Sequence, residues 1–466
     1  MQNFIGRMRY LYANRTPCSP EEKGRLFFAF GEAGMTTVDQ LASGVYIASL
    51  MVYLGMSDAG IGTIISFASL ANAFQLFALR FSFLCKDKKR IASLFAFQRI
   101  WTALFFLLPL LPLGAPVKII LMTAGYLVSK ILIALGTPAL FGWLSELVPV
   151  HIRGAYLGMK DAIIVGTMAL VLLYSGFVLD WYPGAQAPTA FCILAVLAAL
   201  FSLGGLFCYA SVRGEKDPSA ARQGAPALLG LRGEKSRTPA APRAVRSLRA
   251  QFKFCFAQQN FTKMLLLDCL WLFTYSVAFP YNISYSFKEL ALPFGFLSVV
   301  GFAGNIGRMG ASGLLGRVGD RIGMAKLLRL ALTLFALHYL VWMLMTPGNA
   351  NVLYLVMQLF STFAWSFVGV SLFGVKLELM SANARTEQFA VLAGVSGAFG
   401  FLVSWLAGLF LSVMQAHPIS LWGLALFPQQ LLSALGVLSS LGMAWFLKAA
   451  IEVKSSPKDP AFKHAA

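Results

Sequence analysis

The chain contains twelve apolar runs of about 20 residues, separated by short polar segments. A helix of about that length crosses roughly 30 Å of hydrocarbon, and inside a bilayer the backbone must satisfy its own hydrogen bonds. Charged residues make up only 12% of the 466 residues, against roughly 25% in a soluble domain, which excludes a soluble fold. We predict an all-α integral membrane protein whose spans 1 to 12 cover residues 27–53, 59–83, 91–112, 118–142, 156–180, 188–212, 262–286, 291–315, 326–346, 351–375, 388–414 and 423–447.

The positions of lysine and arginine predict the orientation of these spans. If the chain starts inside and crosses twelve times, 33 of its 38 basic residues fall on one side, and basic loops are retained in the cytoplasm. We therefore expect a multi-pass protein of the cytoplasmic (inner) membrane with both termini in the cytoplasm. The same distribution explains the net charge of +19, so we expect contact with the lipid bilayer and no nucleic-acid partner.

A polar segment divides the spans six and six. It is rich in alanine, proline, glycine, serine and arginine, a composition typical of disorder, and its last part predicts an amphipathic helix over about residues 245 to 259. The predicted domains are a cytoplasmic N-terminal segment (1–25), a six-helix half (26–212), the linker (213–260), a second six-helix half (261–448) and a cytoplasmic tail (449–466).

A short charged motif occurs once in each half. Glu146 and Arg153 follow span 4, and the same pair recurs 232 residues later as Glu378 and Arg385 after span 10. The repeat indicates duplicated halves related by an axis along the membrane normal. Since both copies lie on the predicted cytoplasmic side, we predict that these four residues form an inner gate whose ion pairs exchange as the halves move.

The segment between spans 8 and 9 reads GRVGDRIG from Gly316 to Gly323. It resembles the loop signature of the Major Facilitator Superfamily, and the segment after span 4 is similar to that of bacterial members. Glycines permit a tight turn, and an acidic side chain is favoured beside a helix N-terminus. The resemblance implies two pseudo-symmetric six-helix halves around a central cavity, with Gly316, Asp320, Arg321 and Gly323 as a cytoplasmic latch.

Charged side chains inside the predicted spans are the first candidates for the site. Each is unfavourable by roughly 2.5 to 3.5 kcal/mol at a span centre, so it needs a partner, water or a function. Asp39, followed by Gln40, and Lys130 lie midway along spans 1 and 4, which line the cavity in the resembled fold. We hypothesise that Asp39 and Lys130 meet there, with a structural ion pair as the alternative. Asp268 and Arg308 of spans 7 and 8 are placed for a second pair, structural or functional.

Polar and aromatic residues around Pro280 in span 7 form a second candidate group. Proline removes a backbone donor and loosens the helix, so that carbonyl groups can face a cavity. We predict that Tyr275 and Asn282 of span 7 and Trp365 of span 10 contact the solute.

These features predict a secondary active transporter that moves a small-molecule solute by alternating access. Burial disfavours the charged form of a carboxyl group, so Asp39 and Asp268 favour the proton as coupling ion. Span 5 lacks the glycine-proline signature of drug/proton antiporters, which favours a symporter. The alternatives are such an antiporter, or a non-transporting protein on the same scaffold, such as a lipid scramblase or an assembly partner.

We expect a monomer without enzymatic activity, cofactor or metal. The sequence contains no nucleotide-binding P-loop and no nucleophile signature, and its four histidines are too far apart in the chain for a metal motif.

Overall fold

The computed structural model describes residues 20–77, 87–148, 153–212, 248–380, 385–417, 420–421 and 424–452. All twelve predicted spans are helical, which confirms the twelve-helix architecture. The spans comprise Pro20–Leu41 and Gly44–Tyr53 (span 1), Asp58–Ile65, Phe67–Asn72 and the 3₁₀ turn Ala73–Phe77 (span 2), Lys88–Phe105 (3), Ala115–Leu147 (4), Arg153–Trp181 (5), Ala187–Ala210 (6), Phe261–Lys288 (7), Phe294–Ile322 (8), Met324–Leu344 (9), Ala350–Leu379 (10), Arg385–Ala416 (11), and Pro428–Phe446 with the π turn Leu447–Ile451 (12).

Short elements occupy some of the connections. The 3₁₀ turns Leu108–Leu110 and Gly184–Gln186 lie after spans 3 and 5. Between spans 11 and 12, strand β1 (Ser420–Leu421) pairs antiparallel with β2 (Leu424–Ala425). These connections are too short to form a domain outside the helical bundle.

Nine helical stretches in the described part of the chain are long and apolar enough to cross a membrane. The three spans outside this set are 1, 3 and 8. Span 1 contains Glu32 and Asp39, span 3 contains Arg99, and span 8 contains Arg308. The charges inside the bundle therefore lower the apolar character of these three spans.

Each half has its own apolar core. In the first half the core includes Ile47, Leu50, Tyr126, Phe191 and Leu194. In the second half it includes Leu267, Leu332, Phe335, Tyr339 and Val375. Separate cores allow each half to keep its packing while the contacts between the halves change.

Span 1 is not the continuous helix that the sequence predicts. It stops at Leu41 and restarts at Gly44, because Ser43 is extended (φ −141°, ψ 169°) and Gly44 has φ +61°. Neither proline nor charge marks this break, which is why the apolar pattern did not reveal it. The Ala42 carbonyl left free by the break accepts a hydrogen bond from the Tyr126 hydroxyl at 3.1 Å.

The amphipathic end of the linker forms the helix Leu248–Phe256. Its Cys255 is fully buried in a cluster with Phe261 and Met264 of span 7 and Val391 of span 11. The apolar side of this helix therefore packs against the second half. Residues 213–247 of the linker, the N-terminal segment 1–19 and the tail 453–466 lie outside the described residues.

Candidate functional site

The two halves are joined at the ends of the spans that the predicted orientation places outside. Asp58, at the start of span 2, accepts hydrogen bonds from Lys288 Nζ of span 7 and Gln415 Nε2 of span 11, both at 2.9 Å. The Asp58 side chain is 3% exposed and that of Lys288 30%. One buried carboxylate thus connects the first half to two spans of the second. The positive charge of Lys288 offsets part of the free-energy cost of burying it.

A second junction joins the outer ends of spans 5 and 8. The Asp180 carboxylate accepts hydrogen bonds from the backbone N–H groups of Phe294 at 2.9 Å and Gly295 at 2.6 Å. These are the first residues of span 8, where the helix dipole favours negative charge. Nearby, the Tyr46 hydroxyl donates to the Leu172 carbonyl at 2.6 Å and lies 2.9 Å from Ser298 Oγ.

A close approach between spans 2 and 7 completes this contact. Gly62 leaves room for the Tyr281 ring, because a Cβ atom at position 62 would overlap it. Tyr281 is fully buried and donates its hydroxyl hydrogen bond to the Ser404 carbonyl of span 11. The halves therefore meet through ion pairs, hydrogen bonds and packing, so the space between them is closed on the predicted outer side.

Toward the predicted inner side, the ion pairs hold spans of the same half together. In the first half, Asp39 of span 1 pairs with Arg99 of span 3, and Glu32 of span 1 pairs with Lys160 of span 5 at 2.8 Å. The predicted pairing of Asp39 with Lys130 is therefore wrong. Arg99 reaches Asp39 from a neighbouring span, whereas the sequence gives no rotation of span 4 about its axis.

The second half repeats this arrangement with other residues. Asp268 of span 7 pairs with Lys376 of span 10, and Ser396 Oγ of span 11 donates to its Oδ2 at 2.7 Å. The predicted Asp268–Arg308 pair is therefore also wrong. Since Lys376 and Ser396 bind the two carboxylate oxygens, Asp268 ties three spans together.

A cavity of about 190 Å³ lies inside the first half, lined by spans 1, 3, 4 and 6. Four buried polar atoms of its lining residues have no hydrogen-bond partner among the described residues: Glu32 Oε2, Asp39 Oδ1, Arg99 Nη1 and the Tyr209 hydroxyl. Buried polar groups without partners are costly and are normally satisfied by water. The cavity is large enough for about six water molecules, at roughly 30 Å³ each.

Lys130 lies on the interior side of span 4. Val128 and Leu121 mark the outward side of this helix, with exposed fractions of 49% and 45%, and two residues along a helix turn the side chain by about 200°. Lys130 Nζ lies 4.9 Å from the centre of the Tyr126 ring, a cation–π contact. Within the described part of the chain, no carboxylate pairs with Lys130.

Arg308 lies on the interior side of span 8. Ile306, 43% exposed, marks the outward side, again about 200° away. Arg308 falls between the direction of Ser298, which contacts the first half, and that of Gly304, which contacts Gln358 of span 10. Among the residues that the structure describes, no carboxylate forms an ion pair with Arg308.

Aromatic side chains of spans 7 and 10 meet as the sequence suggests. Trp365 contacts Tyr275 with ring centres 5.8 Å apart and Phe279 at 6.1 Å, and Tyr275 stacks on Phe279 at 4.7 Å. All three are half-buried. These rings form one aromatic cluster of spans 7 and 10 within the second half.

Two other predicted contacts lie elsewhere. Asn282 Nδ2 donates to Ser433 Oγ of span 12 at 3.2 Å, and Asn282 is buried between spans 7 and 12 of one half. Gln40 is exposed at the break in span 1, where its carbonyl accepts the Ser43 hydroxyl at 3.1 Å. The structure therefore separates Asn282 from Tyr275 and Trp365, and leaves the Gln40 side chain accessible.

The predicted gate and latch are described only in part. Gly323 forms the one-residue turn between spans 8 and 9 with φ +89°, as its place in the glycine motif predicts. Glu378 is exposed near the end of span 10. The side chains of the remaining predicted gate and latch residues lie outside the described part of the structure: Glu146, Arg153, Arg385, Gly316, Asp320 and Arg321.

The outer junctions do not follow from the apolar pattern of the sequence. Asp58 and Asp180 lie at span ends, and Lys288 is one of only two basic residues near an outer turn. An acidic residue on the side where basic residues are scarce is a signal for such a partner. No group of three or more potential metal ligands occurs among the residues that the structure describes.

Comparisons with known proteins agree with this fold. A sequence profile of the Major Facilitator Superfamily matches residues 28–409, whereas no curated protein matches the sequence significantly. The structure is similar to a crystal structure of a D-xylose-proton symporter, with 14% identity and a TM-score of 0.63 over 90% of this chain and 96% of that one.

Two further solved structures show the same similarity. A mutant of the nucleoside transporter NupG has 13% identity and a TM-score of 0.62 over 92% of this chain and 99% of that one. The inward-open xylose transporter XylE from E. coli has 17% identity and a TM-score of 0.56 over 92% and 95%. At such low identity these similarities show the fold.

Proposed function

Because the chain belongs to the Major Facilitator Superfamily and is a secondary transporter, we propose that it is a proton-coupled symporter in which Asp39 carries the proton. One observation carries this proposal. Asp39 forms an ion pair with Arg99 and has its second carboxylate oxygen unpartnered among the described residues, beside a cavity that can hold water.

Protonation of Asp39 changes the balance of charges in the first half. Neutral Asp39 no longer compensates Arg99, whose guanidinium also donates to the Met35 carbonyl at 3.3 Å and lies 4.8 Å from the centre of the Phe95 ring. An uncompensated buried charge is strongly destabilising. Protonation therefore favours a rearrangement of span 1 against span 3, and the break at Ser43 allows the inner part of span 1 to move separately.

Asp268 is less suited to carry the proton. Its side chain is 8% exposed and both oxygens have partners, whereas the Asp39 side chain is 23% exposed. We assign Asp268 and Lys376 to the structural framework of the second half, with Asp39 as the coupling residue.

Alternating access follows from the contacts between the halves. The outer junctions at Asp58 and Asp180 hold the outer side closed, so we propose that this state exposes the solute site to the cytoplasm. In the opposite state these junctions separate, and the predicted inner gate residues form ion pairs across the halves. The proposed location is the cytoplasmic membrane, with both termini inside and a monomer as the working unit.

A lipid scramblase on the same scaffold is less consistent with the surface. Such a protein needs a polar groove open to lipid, but span 6 exposes Val196, Leu200, Leu203 and Phe207, each by more than half. The charged side chains midway along spans 1, 3 and 4 lie on interior sides instead: Glu32, Asp39, Arg99 and Lys130.

The experiment uses proteoliposomes that contain a trapped pH dye. Addition of a transported solute outside should acidify the interior of wild-type vesicles. Asp39→Asn should abolish the acidification and still allow exchange of labelled for unlabelled solute, because exchange does not require net proton movement.

Asp161→Asn is the matched control, since Asp161 is an exposed carboxylate on span 5. It should acidify like the wild type. Unchanged acidification in Asp39→Asn, or acidification lost equally in both variants, would contradict the assignment of Asp39.

A further inference from the structure

Two basic side chains inside the bundle have no acidic partner among the residues that the structure describes. The carboxylates of Asp39, Asp58 and Asp268 each pair with a basic side chain. Lys130 and Arg308 have no such partner among the residues that the structure describes. Two uncompensated cations inside a membrane protein require a compensating anion or water.

Lys130 and Arg308 lie at the same depth on opposite halves. Lys130 is 15 residues from Ala115, the first residue of span 4, and Arg308 is 14 residues from Phe294, the first of span 8. At 1.5 Å per residue both are about 21 to 23 Å from the outer ends of their spans. Both also point away from the outward sides of their helices.

The aromatic group lies at this depth too. Trp365 is 15 residues from the outer end of span 10 at Ala350, and Tyr275 is 13 residues from the outer end of span 7 at Lys288, about 20 to 23 Å. The half-buried rings of Tyr275, Phe279 and Trp365 therefore offer an apolar surface at the depth of the two cations.

The break in span 1 adds a third positive feature. The helix Gly44–Tyr53 begins inside the bundle, and its N-terminus has no side-chain cap. The Tyr126 ring connects this break to Lys130, because its hydroxyl binds the Ala42 carbonyl and its ring contacts Lys130. Helix N-termini favour anions, so this element adds to the field of the two basic side chains.

We infer that the transported solute is an organic carboxylate, bound with its carboxylate between Lys130 and Arg308 and its apolar body against Trp365 and Tyr275. This inference rests on the proposed transport function and specifies its substrate class. A carboxylate matches the fork of the Arg308 guanidinium and the point charge of Lys130. Because the two cations belong to different halves, the solute also links the halves at the centre of the membrane.

The test measures binding to the purified full-length protein by thermal shift and calorimetry, with benzoate, 4-hydroxybenzoate and succinate as probes. Benzamide, the neutral analogue of benzoate, is the matched ligand control. We expect saturable binding of at least one carboxylate and none of benzamide.

Variants assign the binding to the two cations. Lys130→Gln and Arg308→Gln should each weaken carboxylate binding about tenfold or more, the loss expected for one charged hydrogen bond. Lys130→Arg should retain most of the affinity. Lys118→Gln is the matched control, because Lys118 Nζ donates to the Pro109 carbonyl near an outer turn. This variant should bind the carboxylate with the same affinity as the wild type.

Two outcomes would overturn the inference: no probe binds, or binding is unchanged in both Lys130→Gln and Arg308→Gln. The thermal unfolding of each variant without ligand shows whether it is folded. If neutral solutes drive proton uptake and carboxylates do not bind, the anion site is refuted and the proposed symport stands. Carboxylates that bind at the two cations without moving protons would support the anion site and refute the proton coupling.

Discussion

At the scale of single residues, the sequence identifies the buried charges but not their partners. Hydropathy marks Asp39 and Asp268 as unusual inside apolar runs, and both are indeed buried or half-buried. Their partners are Arg99 of span 3 and Lys376 of span 10, whereas the sequence suggested partners on spans 4 and 8. The choice depends on the rotation of each helix about its axis and on the reach of long basic side chains, which a linear pattern does not contain.

The Asp268–Lys376 pair leads to a prediction of stability. Asp268→Asn should lower the free energy of unfolding by about 3 to 5 kcal/mol, because it leaves the Lys376 charge buried without a partner. The double variant Asp268→Asn, Lys376→Gln should recover most of this loss, since it removes both charges. Thermal unfolding of the purified protein measures both effects.

The double variant should also retain solute-driven acidification in proteoliposomes, because the proposal gives Asp268 a structural role. If the double variant unfolds at the wild-type temperature but no longer acidifies the vesicles, the proton carrier would be Asp268 and not Asp39.

At the scale of elements, apolar length predicts where spans exist, and irregularities inside a span escape it. Spans 7 and 9 begin within two residues of their predicted starts, because their polar flanks are sharp. The break of span 1 at Ser43 was missed, since serine and glycine are common within membrane helices. Yet this break places the Ala42 carbonyl beside the Tyr126 hydroxyl, so the feature to which we assign a role lies in the least predictable part of the span.

Gly44 provides the test of this break. Its φ of +61° disfavours side chains with a Cβ atom, and no atom lies within 4 Å of a Cβ built there. Gly44→Ala should therefore destabilise the protein through backbone conformation alone, by about 1 to 2 kcal/mol. Gly44→Asn should be milder, because asparagine tolerates left-handed backbone.

Gly204→Ala in span 6 is the matched control, since that position is also open within 4 Å and lies inside a regular helix. Thermal unfolding ranks the three variants. Equal stability of Gly44→Ala and Gly204→Ala would contradict the break.

At the scale of the whole molecule, the sequence indicates two duplicated halves. It does not indicate which side of the space between them is closed. The repeat of Glu146 and Glu378 indicates two halves, and the twelve-helix fold confirms that architecture. The closure of the outer side depends on Asp58 and Asp180, whose partners are more than 100 residues away in the chain. Contacts at such separations follow from packing between the halves.

Asp58→Asn should weaken the outer closure, because it removes the charge that binds Lys288 and Gln415. Spin labels at positions 113 and 348, in outer turns of the two halves, should report a larger share of long distances in this variant than in a parent without the six native cysteines. Asp161→Asn should leave the distribution unchanged. An identical distribution in Asp58→Asn and the parent would show that the ion pair does not hold the outer side closed.

The most direct test of proton-driven transport is solute accumulation in proteoliposomes under an imposed proton gradient. With the interior alkaline, an organic carboxylate that binds the protein should accumulate above its external concentration, and a protonophore should abolish the accumulation. Asp39→Asn vesicles should only equilibrate the solute. Equilibration without accumulation in wild-type vesicles, or accumulation that survives the protonophore, would contradict the account.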